Sequence, residues 1–327
     1  MFRYPVYFVH HNLHAWADIC FSAQPTSPAE YGKRLRHGND NWIVQTYLEL
    51  KRRAINVNIV PSLVQGKICV AHYDDILIKE MPLRSFLVGV RGDRPDIHVS
   101  AMNVVQNKHV IRNGRDFFMP HWSQPGLIPR DPSRGPAIRK IGYVGLRFNL
   151  HPTFLDPQFL QRLEQLGATL EVREYPFQDY SDIDLILAVR PGTPYDINLK
   201  PATKLQNAWL AGCPALLGPE SAYRQYRQSD LDYIEINSPE QALHAIRTLQ
   251  ENPRLYSDMI ENGRARGAEF THDKIAEQWI RFLTGPVTDV YECWMSSRPK
   301  RRWLDYPRFA IAAAQHKRAR HHHLRNI

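Results

Sequence analysis

No stretch of this 327-residue chain stays apolar for the ~18 residues that a membrane-spanning helix requires, so composition predicts no span. The opening MFRYPVYFVHHN lacks the long apolar core and small-residue cleavage site of a secretory signal, and the expected location is the cytoplasm. Cysteine is scarce. Cys20, Cys69, Cys213 and Cys293 are far apart and form no C-x-x-C pair, which argues against a disulfide framework and against a thiolate zinc site. Acids are almost missing from the end of the chain. From Ser297 onwards there are nine basic residues (Arg298, Lys300, Arg301, Arg302, Arg308, Lys317, Arg318, Arg320, Arg325) against Asp305 alone, so this tail carries nearly all of the formal net charge of +9. The body is close to neutral. Such a tail is either solvated or suited to an acidic surface such as anionic lipid or nucleic acid. The expected contact is peripheral, at the inner face of a membrane, with no specific nucleic acid.

What is present is enough for two full cores: 43% hydrophobic residues, 11% aromatic, and ample length. The stretch DIDLILAVRPGTPYDINLKPATKLQNAWLAGCPALLGPES, Asp182 to Ser221, organises the rest. The apolar run Ile183 to Val189, ended by Pro191, Gly192 and Pro194, reads as a buried parallel strand leading into a loop. A helix is predicted from Pro201, with Leu205, Ala208 and Trp209 on its apolar side and Gly212 as a left-handed cap. A second buried strand, Pro214 to Leu217, follows. Lys200 and Lys204 are four apart and fall near the helix start, where free N–H groups and the dipole favour an anion.

Before this stretch, residues 4–9, 57–60, 68–71, 86–90 and 117–119 read as strands of a first parallel sheet, with a helix capped by Asn39 or Asp40 and running to Arg53. Pro120 to Pro136 holds five prolines in seventeen residues and is predicted as an interdomain linker. Strands follow at 138–144 and 170–173, with a helix capped by Asp156 between them. After Leu217 come a strand at 233–236 and helices opening at Ser238, Asn252 and Thr271, the last with Ile275, Trp279 and Phe282 or Leu283. A helix is predicted in the tail from about Pro307 to Arg320. The expected division is 1–119, the 120–136 linker, 137–284, and a basic tail 285–327 that packs back on the first domain.

KPATKLQNAWLAGCPALLGPES resembles the donor-site helix of GT-B fold glycosyltransferases, with their KP-x-x-KL run followed by A-x-x-A-G-x-P-x-L. The resemblance covers the second half of the chain. It implies an α/β protein of two Rossmann-like domains with parallel sheets facing across a cleft. It also implies transfer of a hexose-like sugar from a nucleotide diphosphate sugar to a hydroxyl acceptor, in polysaccharide or glycolipid synthesis. The retaining members have two glutamates eight apart, and here Leu199 and Asn207 stand in those places. Two other activities remain open: a nucleotide-sugar epimerase, and a non-catalytic protein of this fold that docks through its tail.

In that frame the second domain holds the donor and the first holds the acceptor. Gly142 and Gly145, in IGYVGLRFN, either serve a tight turn or let the backbone approach the diphosphate; Arg147 resembles the family's arginine at this loop and Lys204 its phosphate lysine. Arg190, Lys200 and Thr203 are further expected contacts, and Asn207 is placed to meet the ribose. If these cations neutralise the leaving diphosphate, no metal or other cofactor is needed. D-x-D-like candidates, Asp74 with Asp75 and Asp182 with Asp184, read as polar strand ends. A base must deprotonate the acceptor hydroxyl; His72 and Asp93 are expected in catalysis and Arg91 in binding, with His10 and His121 behind them.

Overall fold

The structure, a computed structural model, describes residues 2–24 and 26–325; the side chains of 298–304, 322, 324 and 325 also lie outside the described residues, and with them Arg298, Lys300, Arg301, Arg302 and Arg325 of the basic tail. Contacts divide the chain into two compact units. The first comprises the chain up to Thr26, Leu35–Pro120 and the chain from Ile275 onwards; the second comprises Ser27–Arg34 and His121–Lys274.

The first unit contains β1 (Val6–Val9), α1 (Ala17–Cys20), α3 (Gln45–Arg52), β2 (Val57–Val60), β3 (Ile68–His72), β4 (Phe86–Val90), β5 (Met102–Val105) and β6 (Asp116–Phe118). Its six strands form one parallel sheet in the order β2-β1-β3-β4-β5-β6, with Val6 opposite both Val57 and Ile68. Every residue of β3, β4 and β5 is buried, which is why β3 up to Ala71 and the whole of β4 read as unbroken apolar runs. The sequence reading passes over β5, whose Asn103 interrupts the run; the amide is satisfied by Ser100 and Asp116. The helix before β2 opens with a π turn, Asp40–Val44, and Asn39 caps it by accepting the Asp40 N–H.

Helix α10 (His272–Thr284) was expected in the second domain, but from Ile275 onwards it packs with the first unit. Trp279 is the reason: its ring lies 6.3 Å from both Phe8 and Trp42 in edge contacts. The chain then continues as α11 (Pro286–Arg325), far longer than the segment expected from about Pro307. Pro307 lies inside this helix, because contacts hold both halves. Near its start the Tyr291 hydroxyl donates to the Gly66 carbonyl at 2.7 Å, and Phe86 meets Tyr291 and Trp294. Further along, Phe309, Ala312 and Ala313 join a cluster with Val9, Ala71, Tyr73 and Ile76.

The second unit contains α2 (Pro28–Gly32), β7 (Lys140–Val144), α4 (Pro157–Gln165), β8 (Thr169–Arg173), β9 (Leu185–Ala188), α5 (Pro194–Asn198), α6 (Thr203–Ala211), β10 (Ala215–Leu217), α7 (Ser221–Arg224), β11 (Ile234–Glu235), α8 (Pro239–Glu251) and α9 (Pro253–Gly267). Five parallel strands run in the order β11-β10-β9-β7-β8. Helix α6 starts two residues later than expected, at Thr203, while a Thr193/Asp196 capping box builds the unforeseen α5. Gly212 takes the expected left-handed cap, at φ 69°. The stretch read as a linker is stitched to this unit. The Ile128 N–H donates to the Gln178 carbonyl and the Arg130 N–H to the Ala211 carbonyl. Buried Asp184 accepts from Arg130, from Arg134 and from the N–H groups of Arg139 and Lys140. Burial alone would raise its pKa, but these donors hold it below the usual value. Asp182 pairs with Lys140 and Arg173, so neither aspartate of this candidate pair is free to hold a metal.

Candidate functional site

In an open parallel sheet, ligands gather at the carboxyl edge where the strand order reverses. In the second unit the chain leaves β7 towards β8 on one side and returns to β9 on the other. Gly145 follows β7, Arg190 lies just past β9, Thr203 and Lys204 start α6, and Glu220 lies just past β10. The Lys204 ammonium donates to the Val144 carbonyl at 2.5 Å and sits 4.6 Å from the centroid of the Tyr143 ring. Gly145 is required here: a Cβ on it would collide with Nζ, on a backbone at φ +154°. Burial, and then the charge of Arg190, bring the Lys204 pKa down to about 7. The Thr203 hydroxyl, in the first turn of α6, is buried with no hydrogen-bond partner among the described residues.

Arg190 is turned inwards. It forms a very short ion pair with Glu220, donates to the Tyr223 hydroxyl at 2.9 Å and reaches the Pro201 carbonyl at 3.4 Å. Burial opposes its charge, but Glu220 more than offsets this and holds the pKa above the ordinary arginine value. The second oxygen of Glu220 has no hydrogen-bond partner among the described residues. Sequence reasoning assigned nothing to Glu220 or Tyr223, although Glu220 lies in the quoted GPES run; its position just past a strand end was the signal.

The remaining donor-side expectations divide. Arg147 is exposed on a turn whose backbone N–H donates to Glu174 at 2.8 Å, so its guanidinium faces solvent. Lys200 is half-buried on the segment entering α6. Asn207 is buried, and its carbonyl oxygen accepts the Gln124 N–H at 3.0 Å. That bond holds the proline-rich segment, so the amide meets the protein where a ribose contact was expected. Leu199, in the other glutamate position, is buried.

The first unit has its own reversal, between β1 and β3. His10 follows β1, and its Nε2 lies 3.1 Å from Asp40 Oδ1, which also accepts from Trp16. The other Asp40 oxygen accepts the N–H groups of Arg36 and His37. Burial would raise the Asp40 pKa; His10 and these two N–H groups hold it below the usual value. With Nε2–H given to the carboxylate, His10 Nδ1 carries the lone pair, and it is buried with no partner among the described residues. This aspartate was read only as a possible helix cap.

His72 ends β3 fully buried. Its Nδ1 accepts the Asp74 N–H at 3.3 Å, which puts the ring proton on Nε2, and that nitrogen has no partner among the described residues. Burial keeps the ring neutral despite Asp74. The base role expected of His72 therefore does not fit its tautomer: the free nitrogen donates. It lies against two glycines, since a Cβ on Gly92 or Gly38 would stand 2.8 or 3.2 Å from it. Asp93 is paired with Arg94, and Arg91 is spent on the Arg94 carbonyl and Asp96. His121, in the second unit, bonds the Trp122 carbonyl.

No family model matches the sequence, and no curated protein matches it. Solved structures do match the fold. TarM aligns with a TM-score of 0.50 at 9% identity, over 73% of this chain and 58% of that one, so the chain spans well under two thirds of TarM. Anabaena HepE, crystallised with UDP and glucose, gives 0.52 at 10% identity over 86% of this chain and 99% of its own. AviGT4, a glycosyltransferase involved in avilamycin A biosynthesis, gives 0.51 at 15% identity over 86% and 98%. The fold is of the GT-B type. Identities this low establish the architecture alone, because one fold carries many activities.

Proposed function

We propose that this chain is a glycosyltransferase that moves a sugar from a nucleotide diphosphate donor to a hydroxyl acceptor. The observation that carries it lies at the β7–β9 reversal, where α6 opens with Lys204, with the Thr203 hydroxyl, which has no hydrogen-bond partner among the described residues, and with its first-turn N–H groups, beside the side-chain-free Gly145. That HepE binds UDP and glucose, and that AviGT4 is a glycosyltransferase, agree with this reading.

In this reading Lys204, Thr203 and the α6 amides hold the diphosphate, and the exposed Arg147 adds countercharge. Lys200 lies on the segment that enters this helix. Arg190, fixed by Glu220 and bonded to the Pro201 carbonyl, sets that segment in place. His10 Nδ1 takes the proton of the acceptor hydroxyl while Asp40 orients the ring, as in other Asp–His pairs. His72 Nε2 donates to an acceptor oxygen. The acceptor oxygen bonds the anomeric carbon, and the bond to the diphosphate breaks with its electron pair leaving on phosphate oxygen. With His10 as the base, the displacement is single and inverts the anomeric centre. The cations substitute for a metal. A polysaccharide or glycolipid precursor is the acceptor class, and the basic tail gives peripheral contact with an anionic membrane face.

The test is a thermal melt against UDP, GDP, ADP, dTDP and CMP, each with EDTA and with magnesium. A ligand at about a hundred times its Kd stabilises by roughly 2.7 kcal/mol, which is several degrees. One diphosphate should raise Tm equally in both buffers. No shift with any nucleotide removes the donor site. A shift that needs magnesium removes the metal-free mechanism. Conversion of the sugar nucleotide without acceptor would replace transfer by epimerisation.

A further inference from the structure

A cavity of about 370 Å³ opens within the first unit, between the segment after β3 and the far half of α11. Residues 76–79 form one wall; His316, Lys317 and Arg320 form the other. The volume falls in the range of small-molecule sites, roughly 300–1,000 Å³. Its lining has two characters. Ile76, Leu77 and Ile78 make it largely apolar, while Lys79, Lys317 and Arg320 bring three cations, none in an ion pair among the described residues. Among the described residues Arg320 bonds only the Ile76 carbonyl, at 3.4 Å.

His316 makes the cavity more than a packing gap. It is 1% exposed, its ring lies against Tyr73 at 4.9 Å, and neither ring nitrogen has a hydrogen-bond partner among the described residues. A buried imidazole with both nitrogens unmet is costly unless a ligand meets one of them. Cations and a hydrogen-bonding ring at one side, with a run of three aliphatic residues at the other, match a single molecule that carries both an anion and a chain. We propose that this cavity binds a phosphate-bearing amphiphile, with the phosphate on Lys317, Arg320 and His316 and the chain against residues 76–78. Arg308 and Arg318, also on α11, add to the attraction such a ligand feels at longer range. The site lies wholly in the first unit and involves none of the donor-side residues, so it stands or falls separately from sugar transfer.

The experiment titrates the full chain calorimetrically, without nucleotide, with dihexanoyl phosphatidic acid below its micellar concentration, dihexanoyl phosphatidylcholine and inorganic phosphate. Phosphatidic acid should bind at least about tenfold more tightly than either of the others, and Lys317→Ala with Arg320→Ala should lose about tenfold or more. Lys79→Ala, on the opposite wall, should weaken binding in the same direction. All three lysine and arginine positions are at the surface, and an unchanged melting temperature separates loss of the site from loss of the fold. Equal binding of inorganic phosphate would leave a simple ion site and overturn the proposal. Equal binding of phosphatidylcholine would overturn the role of the cations, and undiminished binding by the double variant would place the ligand elsewhere.

Discussion

Arg190 spends its guanidinium on Glu220, at a strand end where a contact to the donor was expected. Both side chains are buried, at 8% and 2% exposure. Removing one partner of such a pair strands the other, so Glu220→Ala should lower stability by about 3–5 kcal/mol in denaturant unfolding. Arg190→Met combined with Glu220→Leu should recover most of that loss while still weakening nucleotide binding, because the Pro201 carbonyl loses its donor. A single Glu220→Ala variant as stable as the parent would mean that Arg190 reaches water.

Lys204 gives the second unit a pH dependence of definite sign. Its pKa falls from 10.5 to about 7 on folding. Between about pH 7 and 10.5 the unfolded chain therefore binds more protons at this residue, and its contribution to stability rises with pH across that window, then flattens below it where both states are charged. Lys204→Met should abolish this rise and make the protein more stable near pH 6. A diphosphate at this site favours the ammonium, so binding at pH 8 should take up about one proton, seen as a dependence of calorimetric enthalpy on buffer ionisation. Lys204→Met should remove the uptake and weaken binding by about tenfold or more. Buffer-independent enthalpy in the parent would place the phosphates away from Lys204.

Much of the fold was legible because fully buried parallel strands and capped helices leave local signatures. Phe86–Val90 and the Asp156 and Ser238 caps stand where the periodicity puts them. What failed was non-local. Nothing near Trp279 says that it packs on Phe8, and a proline-rich segment reads as a linker unless Asp184, some fifty residues on, is known to hold Arg130 and Arg134. The site divided in the same way. Lys204 and Gly145 were visible from motif and strand position, whereas the pairs His10–Asp40 and Arg190–Glu220 join residues about thirty apart that only the sheet order brings together.

Glycine positions test the geometry at single-atom scale. Gly92 sits at φ +58° with His72 Nε2 only 2.8 Å from where its Cβ would be. Gly92→Ala should cost about 1 kcal/mol or more from backbone strain and push the ring off its position, lowering kcat with little change in donor affinity. Gly145→Ala should act on the other substrate: its methyl would collide with Lys204 Nζ, so nucleotide affinity should fall while the acceptor KM holds. If both variants changed the same kinetic constant, the assignment of acceptor to the first unit and donor to the second would be wrong.

The His10–Asp40 pair makes the most demanding prediction. Asp40→Asn keeps the size of the side chain but removes the charge that orients His10 and would stabilise it once protonated. The expected loss in kcat is about 10²- to 10⁴-fold, with nucleotide affinity unchanged because Asp40 lies in the first unit. His10→Gln should give a loss of the same order, and the two together little more than either alone, as residues acting as a unit do. Asp40 also accepts two backbone N–H groups, so a melt of each variant must accompany the kinetics. If His10 is the base of a single displacement, the anomeric proton coupling in the first-formed product will show inversion. Retention would require a nucleophile or an internal return in which the leaving phosphate itself takes the acceptor proton, and His10 could not then be the base of the transfer.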